Sequence, residues 1–321
     1  MPARSRIAFL TGGLVTLAAA AWLPRAAAAV AAVDTAPTSV PAAQLIESLG
    51  LHVAPHPVRE RSGWRAPRII LVSNRLHELL PRLQQAAPHA KLIELGAASA
   101  RQIADADATI GVCSAEVLGA AQHLQWIQWT AAGVEPCMRQ PLLRARAPLV
   151  TNLQRTMAAS MAEHVLTLMF ALSRHLEYFY RAQQEGHWAR GDGAPELVDL
   201  EGKTVLIAGL GGIGTEVARR AHALGMRVTA TRASGHEGPD FVSYVGLPDE
   251  LLKLTRDADF VVNCLPLTPE TTGLFNKGFF ATMKPGAFFV SVGRGRSTVT
   301  ADLVAALTQG TIAGAGLDVV D

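Results

Sequence analysis

KTVLIAGLGGIGTEVARRAHALGMRVTATR, residues 203–232, decides how the rest of the chain is read. It opens on KTVLIAGL, a short aliphatic run rich in β-branched residues, passes through a knot of glycines, and continues as TEVARRAHAL with helical spacing and MRVTATR as a second strand. Gly209, Gly211 and Gly214 form a G-x-G-x-x-G string. In a chain with 28 glycines the string alone says little, but here it leaves a predicted strand and opens a predicted helix, the context in which such a turn receives a dinucleotide. Gly209 permits the tight turn, Gly211 lets the backbone approach a pyrophosphate, and Gly214 allows the helix to pack close to the sheet. Gly212 and Ile213 complete the loop, where unpaired helix N–H groups favour phosphate.

An acidic residue about 20 positions on, at the end of the next strand, is the usual partner of the ribose hydroxyls. TRAS stands there instead, and Arg232 takes the place. A guanidinium suits a 2′-phosphate through charge-assisted contacts. The expected coenzyme is therefore NADP(H), with NAD(H) still open if Arg232 lies solvated over the adenine.

Working outward, strand and helix alternate on both sides of this unit. RIILVS (68–73), KLIEL (91–95), ATIGVC (108–113) and LQWIQWT (124–130) read as strands upstream, and DFVVNCL, AFFVSVG and IAGAGLDVV read as strands downstream. Such alternation predicts an α/β chain with two Rossmann-like or flavodoxin-like lobes, each a parallel sheet covered by helices. A stretch without Gly or Pro, 156–184, predicts one long helix joining the lobes. The expected organisation is a lead-in over 33–67, a substrate lobe over 68–155 and a nucleotide lobe over 156–321.

The chain has 321 residues, 49% hydrophobic and 17% charged, with a formal net charge of +2. That composition fits a globular protein and supplies no basic surplus for nucleic acid. Cys113, Cys137 and Cys264 lack the spacing of a disulfide framework or a zinc site and read as buried small hydrophobes; the histidines lack metal-ligand spacing too. At the start, Arg4 and Arg6 precede an apolar run over 7–23 and a run of small residues, the layout of a cleavable export signal over 1–32. The run is marginal for a membrane span. SRIAFL is similar to a twin-arginine signal with Ile7 in place of the second arginine. Export by that route or the general one is expected, with a cytoplasmic protein as the alternative.

NCLPLTPETTGLF (263–275), MKPGAFFVSVGRGRSTV (283–299) and ADLVAALTQGTIAGAGLDV (301–319), taken with GLGGIG, resemble the D-isomer-specific 2-hydroxyacid dehydrogenases, especially their glyoxylate/hydroxypyruvate reductase branch. The likeness runs over 68–321. It implies hydride transfer between NAD(P)H and a small 2-oxo acid, giving a D-2-hydroxy acid. By the same resemblance Arg294 pairs with the substrate carboxylate and carbonyl, and backbone N–H groups at Ala132 and Gly133 in WTAAGVEP receive the carboxylate. Leu265 and Pro266 pass beside the coenzyme ribose units, Thr271 in the same loop makes a polar coenzyme contact, Val292 and Gly293 lie near the nicotinamide, and Asp318 holds its carboxamide. A homodimer is also implied, with EYFYRAQQEGHW (177–188) a candidate contact. Glu163 and His164, adjacent on a helix, point in different directions and make no catalytic pair; His164 reads as packing between lobes, and Trp126 and Trp129 as core.

The last residues, GTIAGAGLDVVD (310–321), run toward the place where the resembled family carries a glutamate and then a histidine, its general acid. The chain as given is expected to bind coenzyme and turn over poorly or not at all, its substrate lobe lacking a C-terminal return. Two other readings stay open: a coenzyme-binding sensor or corepressor-like module without chemistry, and a formate- or phosphite-type dehydrogenase of the same superfamily.

Overall fold

A computed structural model describes residues 41–48, 51, 53, 55–191 and 193–321. The expected export signal, 1–32, lies outside the described residues. Among the described residues no helix is long and apolar enough to cross a membrane.

The first sheet contains β1 (Ile69–Val72), β2 (Lys91–Glu94), β3 (Ala108–Ile110), β4 (Trp126–Gln128) and β5 (Leu149–Thr151), in the order β2-β1-β3-β4-β5. Every pairing is parallel. Successive side chains of a strand face opposite ways, so Leu71 and Ile127 enter one core cluster and Ile70, Val72 and Ala108 the other. Both faces of the sheet are thus covered, as an all-parallel sheet requires. The buried carboxylate of Asp107 accepts from the N–H groups of Arg68 and Ile69 at 2.8 and 3.1 Å, fixing the entry of β1.

After β4 come two short helices, α1 (Glu135–Met138) and α2 (Pro141–Arg146). A disulfide joins Cys137 of α1 to Cys113 in the loop after β3, with Cα atoms 5.4 Å apart. These two cysteines were expected as unpaired apolar side chains. Their separation of 24 residues carries no framework spacing; they meet only because neighbouring parallel strands deliver both loops to the same edge of the sheet.

The second sheet contains β6 (Thr204–Ala208), β7 (Arg227–Thr231), β8 (Tyr244–Gly246), β9 (Phe260–Asn263), β10 (Phe288–Ser291) and β11 (Gly314–Leu317), ordered β11-β10-β9-β6-β7-β8 and parallel throughout. The order reverses between β6 and β9, where ligands of open α/β sheets bind. Asp259 repeats the device of Asp107, accepting from the Thr204 N–H at 2.8 Å while Lys284 Nζ lies 2.9 Å from its other oxygen.

The helix expected over 156–184 is two helices, α3 (Ala158–Ser173) and α4 (Leu176–Gln184). The break falls at His175, whose φ is 47°. The freed Ser173 carbonyl accepts from the Val198 N–H, and Arg174 pairs with Asp199 at 2.7 Å. α3 lies against the second sheet. Ala162, Val165 and Met169 pack with Val205 and Ile207 of β6 and with Val217 and Ala221 of α5 (Gly212–Ala223). Gly314 and Gly316 let it lie close over β11: a Cβ at either would stand 3.1 Å from Leu172 and 3.0 Å from Leu168. The opposite face of the sheet is filled by Leu206, Phe275, Phe279, Phe280 and Phe289. Both sheets fall within one compact unit, Ala54–Leu176 with Pro195–Asp321, and Glu177–Ala194 falls within another.

Candidate functional site

The glycine turn lies between β6 and α5. Gly209 leaves β6 with φ 99°, a conformation that favours glycine. Its N–H and that of Leu210 donate to the Thr231 carbonyl at 3.2 and 3.0 Å, tying the turn to β7. Gly211 is the residue preceding α5, and a Cβ on it would meet no atom within 4 Å. A Cβ on Gly214 would collide with the Gly209 carbonyl oxygen. Gly212 faces the stem of Arg155, whose Cγ would stand 2.7 Å from a Cβ there, and Ile213 follows in the same helical turn. An open surface of N–H groups at the start of a 12-residue helix, with a cationic residue beside it, fits a dinucleotide diphosphate. Arg155 was not foreseen, since nothing in the local sequence links it to a turn 57 residues later.

At the far side, Arg232 follows directly on β7 and its Nη1 donates to the Glu237 carbonyl at 2.9 Å. The position beside the expected ribose thus carries a half-buried guanidinium and no carboxylate.

The ends of β9 and β10 form the next part. Asn263, fully buried, donates from Nδ2 to the hydroxyls of Ser291 and Ser297 at 3.0 and 2.9 Å and accepts the Leu265 N–H at 3.0 Å. The Ser297 hydroxyl donates to the Arg294 carbonyl at 2.6 Å. This buried polar network holds the backbone on which Leu265, Pro266, Val292, Gly293 and Arg294 lie. Its satisfied partners fix those loops in one geometry. Asn263 and Ser297 were overlooked, although a polar residue ending the apolar run FVVN was a legible signal. Val292 is buried and donates to the Asn263 carbonyl at 3.1 Å. Thr271 shapes its own loop: its hydroxyl donates to the Pro266 carbonyl at 2.7 Å and accepts the Thr268 N–H at 2.8 Å.

A row of contacts leads from the glycine turn to the loop bearing Ala132 and Gly133. A Cβ on Gly209 would stand 3.1 Å from Leu265, and one on Gly293 would stand 2.8 Å from the Leu265 carbonyl. One on Gly133 would overlap the guanidinium of Arg294. Arg294 Nη1 donates to the Gly293 carbonyl at 2.7 Å, and its Nε lies 3.2 Å from the carboxylate of Glu135. The loop bearing Ala132 and Gly133 is pinned by Asn152, which donates to the Ala132 carbonyl at 2.6 Å. Ala132, Gly133, Glu135, Pro266, Thr268 and Arg296 are among the residues lining a cavity of about 820 Å³. The sequence did not single out Glu135, whose carboxylate orients the arginine by direct contact.

Asp318 follows β11 and donates its N–H to the Ser291 carbonyl at 2.9 Å. Its carboxylate lies 3.3 Å from Nε2 of His164 on α3, both side chains partly exposed. His164 is therefore a partner of Asp318 and not a packing residue between lobes. Glu163 turns the other way, its carboxylate 3.6 Å from Arg220.

Residues 166–321 match the D-isomer specific 2-hydroxyacid dehydrogenase, NAD binding domain family. The glyoxylate reductase of Pyrococcus furiosus is 34% identical over 246 residues, 73% of this chain and 70% of that protein. Among solved structures, a D-isomer specific 2-hydroxyacid dehydrogenase family protein from Aeromonas salmonicida is 29% identical with a TM-score of 0.70, covering 80% of this chain and 82% of that one. An NADPH-dependent glyoxylate/hydroxypyruvate reductase from Sinorhizobium meliloti, in complex with NADP and sulfate, is 26% identical with a TM-score of 0.67, covering 79% and 82%.

Proposed function

The chain belongs to the D-isomer-specific 2-hydroxyacid dehydrogenases, and from that premise we propose that it binds NADP(H) in preference to NAD(H) and reduces a small 2-oxo acid of the glyoxylate or hydroxypyruvate type to its D-2-hydroxy acid. The observation that carries this reading is the contact of the Arg294 guanidinium with Gly133, at one end of a row whose other end is the glycine turn.

When bound, the coenzyme supplies the hydride. The protein's part is to hold and polarise. Arg294, fixed by Glu135 and the Gly293 carbonyl, presents its remaining donors to the substrate carboxylate and carbonyl oxygen, where charge develops as the carbonyl carbon is reduced. Backbone N–H groups at Ala132 and Gly133 take the carboxylate. Gly133 must stay glycine, because any side chain would displace the guanidinium. Arg232 meets the 2′-phosphate.

Calorimetry with each coenzyme, followed by titration of the oxidised complex with glycolate and D-glycerate, tests the reading. NADP+ should bind more tightly than NAD+, and Arg232→Asp should reverse the order. Arg294→Gln should keep coenzyme binding and lose hydroxy-acid binding. Heat from neither coenzyme, or hydroxy-acid binding indifferent to Arg294→Gln, removes the proposal.

A further inference from the structure

We propose that the cavity beside Arg294 is a second anion subsite, so that the preferred 2-oxo acid carries a second anionic group, carboxylate or phosphate, beyond the carboxylate next to its carbonyl. This rests on the 2-oxo acid reading above and adds the substrate's charge to it.

Three arginines line the cavity together with the substrate loop: Arg139 and Arg144 from one side, and Arg296, two residues beyond Arg294, from the other. Among the described residues no carboxylate pairs with any of the three. The acid on the lining, Glu135, faces Arg294 at 3.2 Å. Elsewhere Arg101, Arg174, Arg181 and Arg219 each pair with an aspartate or glutamate, while Arg146 donates to a backbone carbonyl. Like charges converging on one concavity repel one another, and low-dielectric walls focus their field into the space between them. An anion placed there is shared by all three and relieves that repulsion.

Size and position agree with charge. A volume of about 820 Å³ is in the range that accommodates ligands far larger than a two-carbon acid. Ala132 and Gly133 also line it, so a substrate whose first carboxylate sits on that loop projects its distal end toward the arginines. Arg139 follows α1 and Arg144 lies on α2, held in place by the Cys113–Cys137 disulfide on α1, while Arg296 stands on the short turn Gly295–Ser297 braced by the buried Ser297 hydroxyl. Arg139, Arg144 and Arg296 thus stand on restrained backbone at the cavity, all three exposed to solvent. The planar fork of each suits carboxylate and phosphate oxygens equally.

The test compares three probes by calorimetry on the 321-residue chain saturated with NADP+, a state without a hydride to give: 2-oxopentanoate, 2-oxopentanedioate and 3-phosphonooxypyruvate. At low salt, one or both of the probes with a second anionic group should bind about tenfold more tightly than the monoanion, with the advantage shrinking as salt is added. A gain for only one of them identifies the distal group as carboxylate or phosphate. Arg139→Gln/Arg144→Gln should erase the advantage while NADP+ affinity, reporting an intact nucleotide lobe, is retained. Equal binding of all three probes overturns the subsite and leaves the 2-oxo acid reading standing; so does an advantage that survives in the double variant. Binding of NADP+ with no binding of any probe overturns both.

Discussion

A methyl group added at residue 214 would run into the carbonyl oxygen of Gly209, so the first turn of α5 and the end of β6 can approach only if neither carries a side chain there. Gly214→Ala should push the helix off the sheet, costing roughly 1–3 kcal/mol as overpacked sites do, and should weaken coenzyme binding; chemical denaturation and coenzyme titration check the two effects. Close by, Cys264 is only partly buried as a residue, yet its sulfur is enclosed, and burial pushes the thiol from 9.0 up to about 12. A raised native pKa favours the protonated folded state. The unfolded chain begins to release this proton near pH 9 while the native one retains it, so the contribution present below pH 9 is lost as pH rises toward 12. The slope is about 1.4 kcal/mol per pH unit over that window. Denaturation curves of the native chain and Cys264→Ala at pH 8 and pH 10 should diverge accordingly, and parallel curves would refute the assignment. At this scale the glycine string and Arg232 were legible because each is tied to a local strand end, whereas Arg294 was singled out by the resemblance of VGRGR to the family's motif. Glu135, Asn263 and Arg155 were not, because their partners lie on other elements.

Among the elements, the disulfide between the loop after β3 and α1 has the clearest consequence. It closes a 24-residue separation and restrains the helix whose first residue, Glu135, holds Arg294. Cys113→Ser/Cys137→Ser should lower stability by about 2–4 kcal/mol and weaken hydroxy-acid binding while leaving coenzyme affinity intact, since the glycine turn stands on the other sheet. Equal losses for both ligands would show that the bridge acts on the whole molecule. Strand prediction missed β5 and β8, three residues each like β3 and β4 but at the edges of their sheets. An edge strand of that length has too few apolar positions to show a period. β8 is secured from its flank, where the Tyr244 hydroxyl donates to Glu250 at 2.6 Å and the same carboxylate accepts the Leu247 N–H at 2.9 Å. Those hydrogen bonds, that of Tyr244 foremost, hold the Glu250 carboxyl below its ordinary value. The break between α3 and α4 was invisible for a different reason, as His175 is not a residue that announces a left-handed turn.

For the molecule as a whole, a native disulfide argues for an oxidising compartment. The N-terminal arginines and apolar run over 1–32 point the same way. We propose an exported protein. Fractionation of cells carrying a C-terminally tagged chain, with thiol alkylation before reduction, should find a shortened, disulfide-bonded product outside the cytoplasm; a full-length, reduced, cytosolic product would exclude export. The supply of coenzyme there is a requirement of the proposal, met if the chain leaves the cytoplasm folded around it.

By itself the sequence determined two parallel α/β lobes and the dinucleotide turn, because each depends on a short-range pattern: alternation of strand and helix, and glycines at fixed offsets. Only the tertiary structure decided what Arg294 touches, which cysteines pair, where the long helix breaks and that three unpartnered arginines share one cavity. Those are contacts between residues tens to hundreds of positions apart, and their geometry is set by the packing of sheets and loops, which no local spacing records.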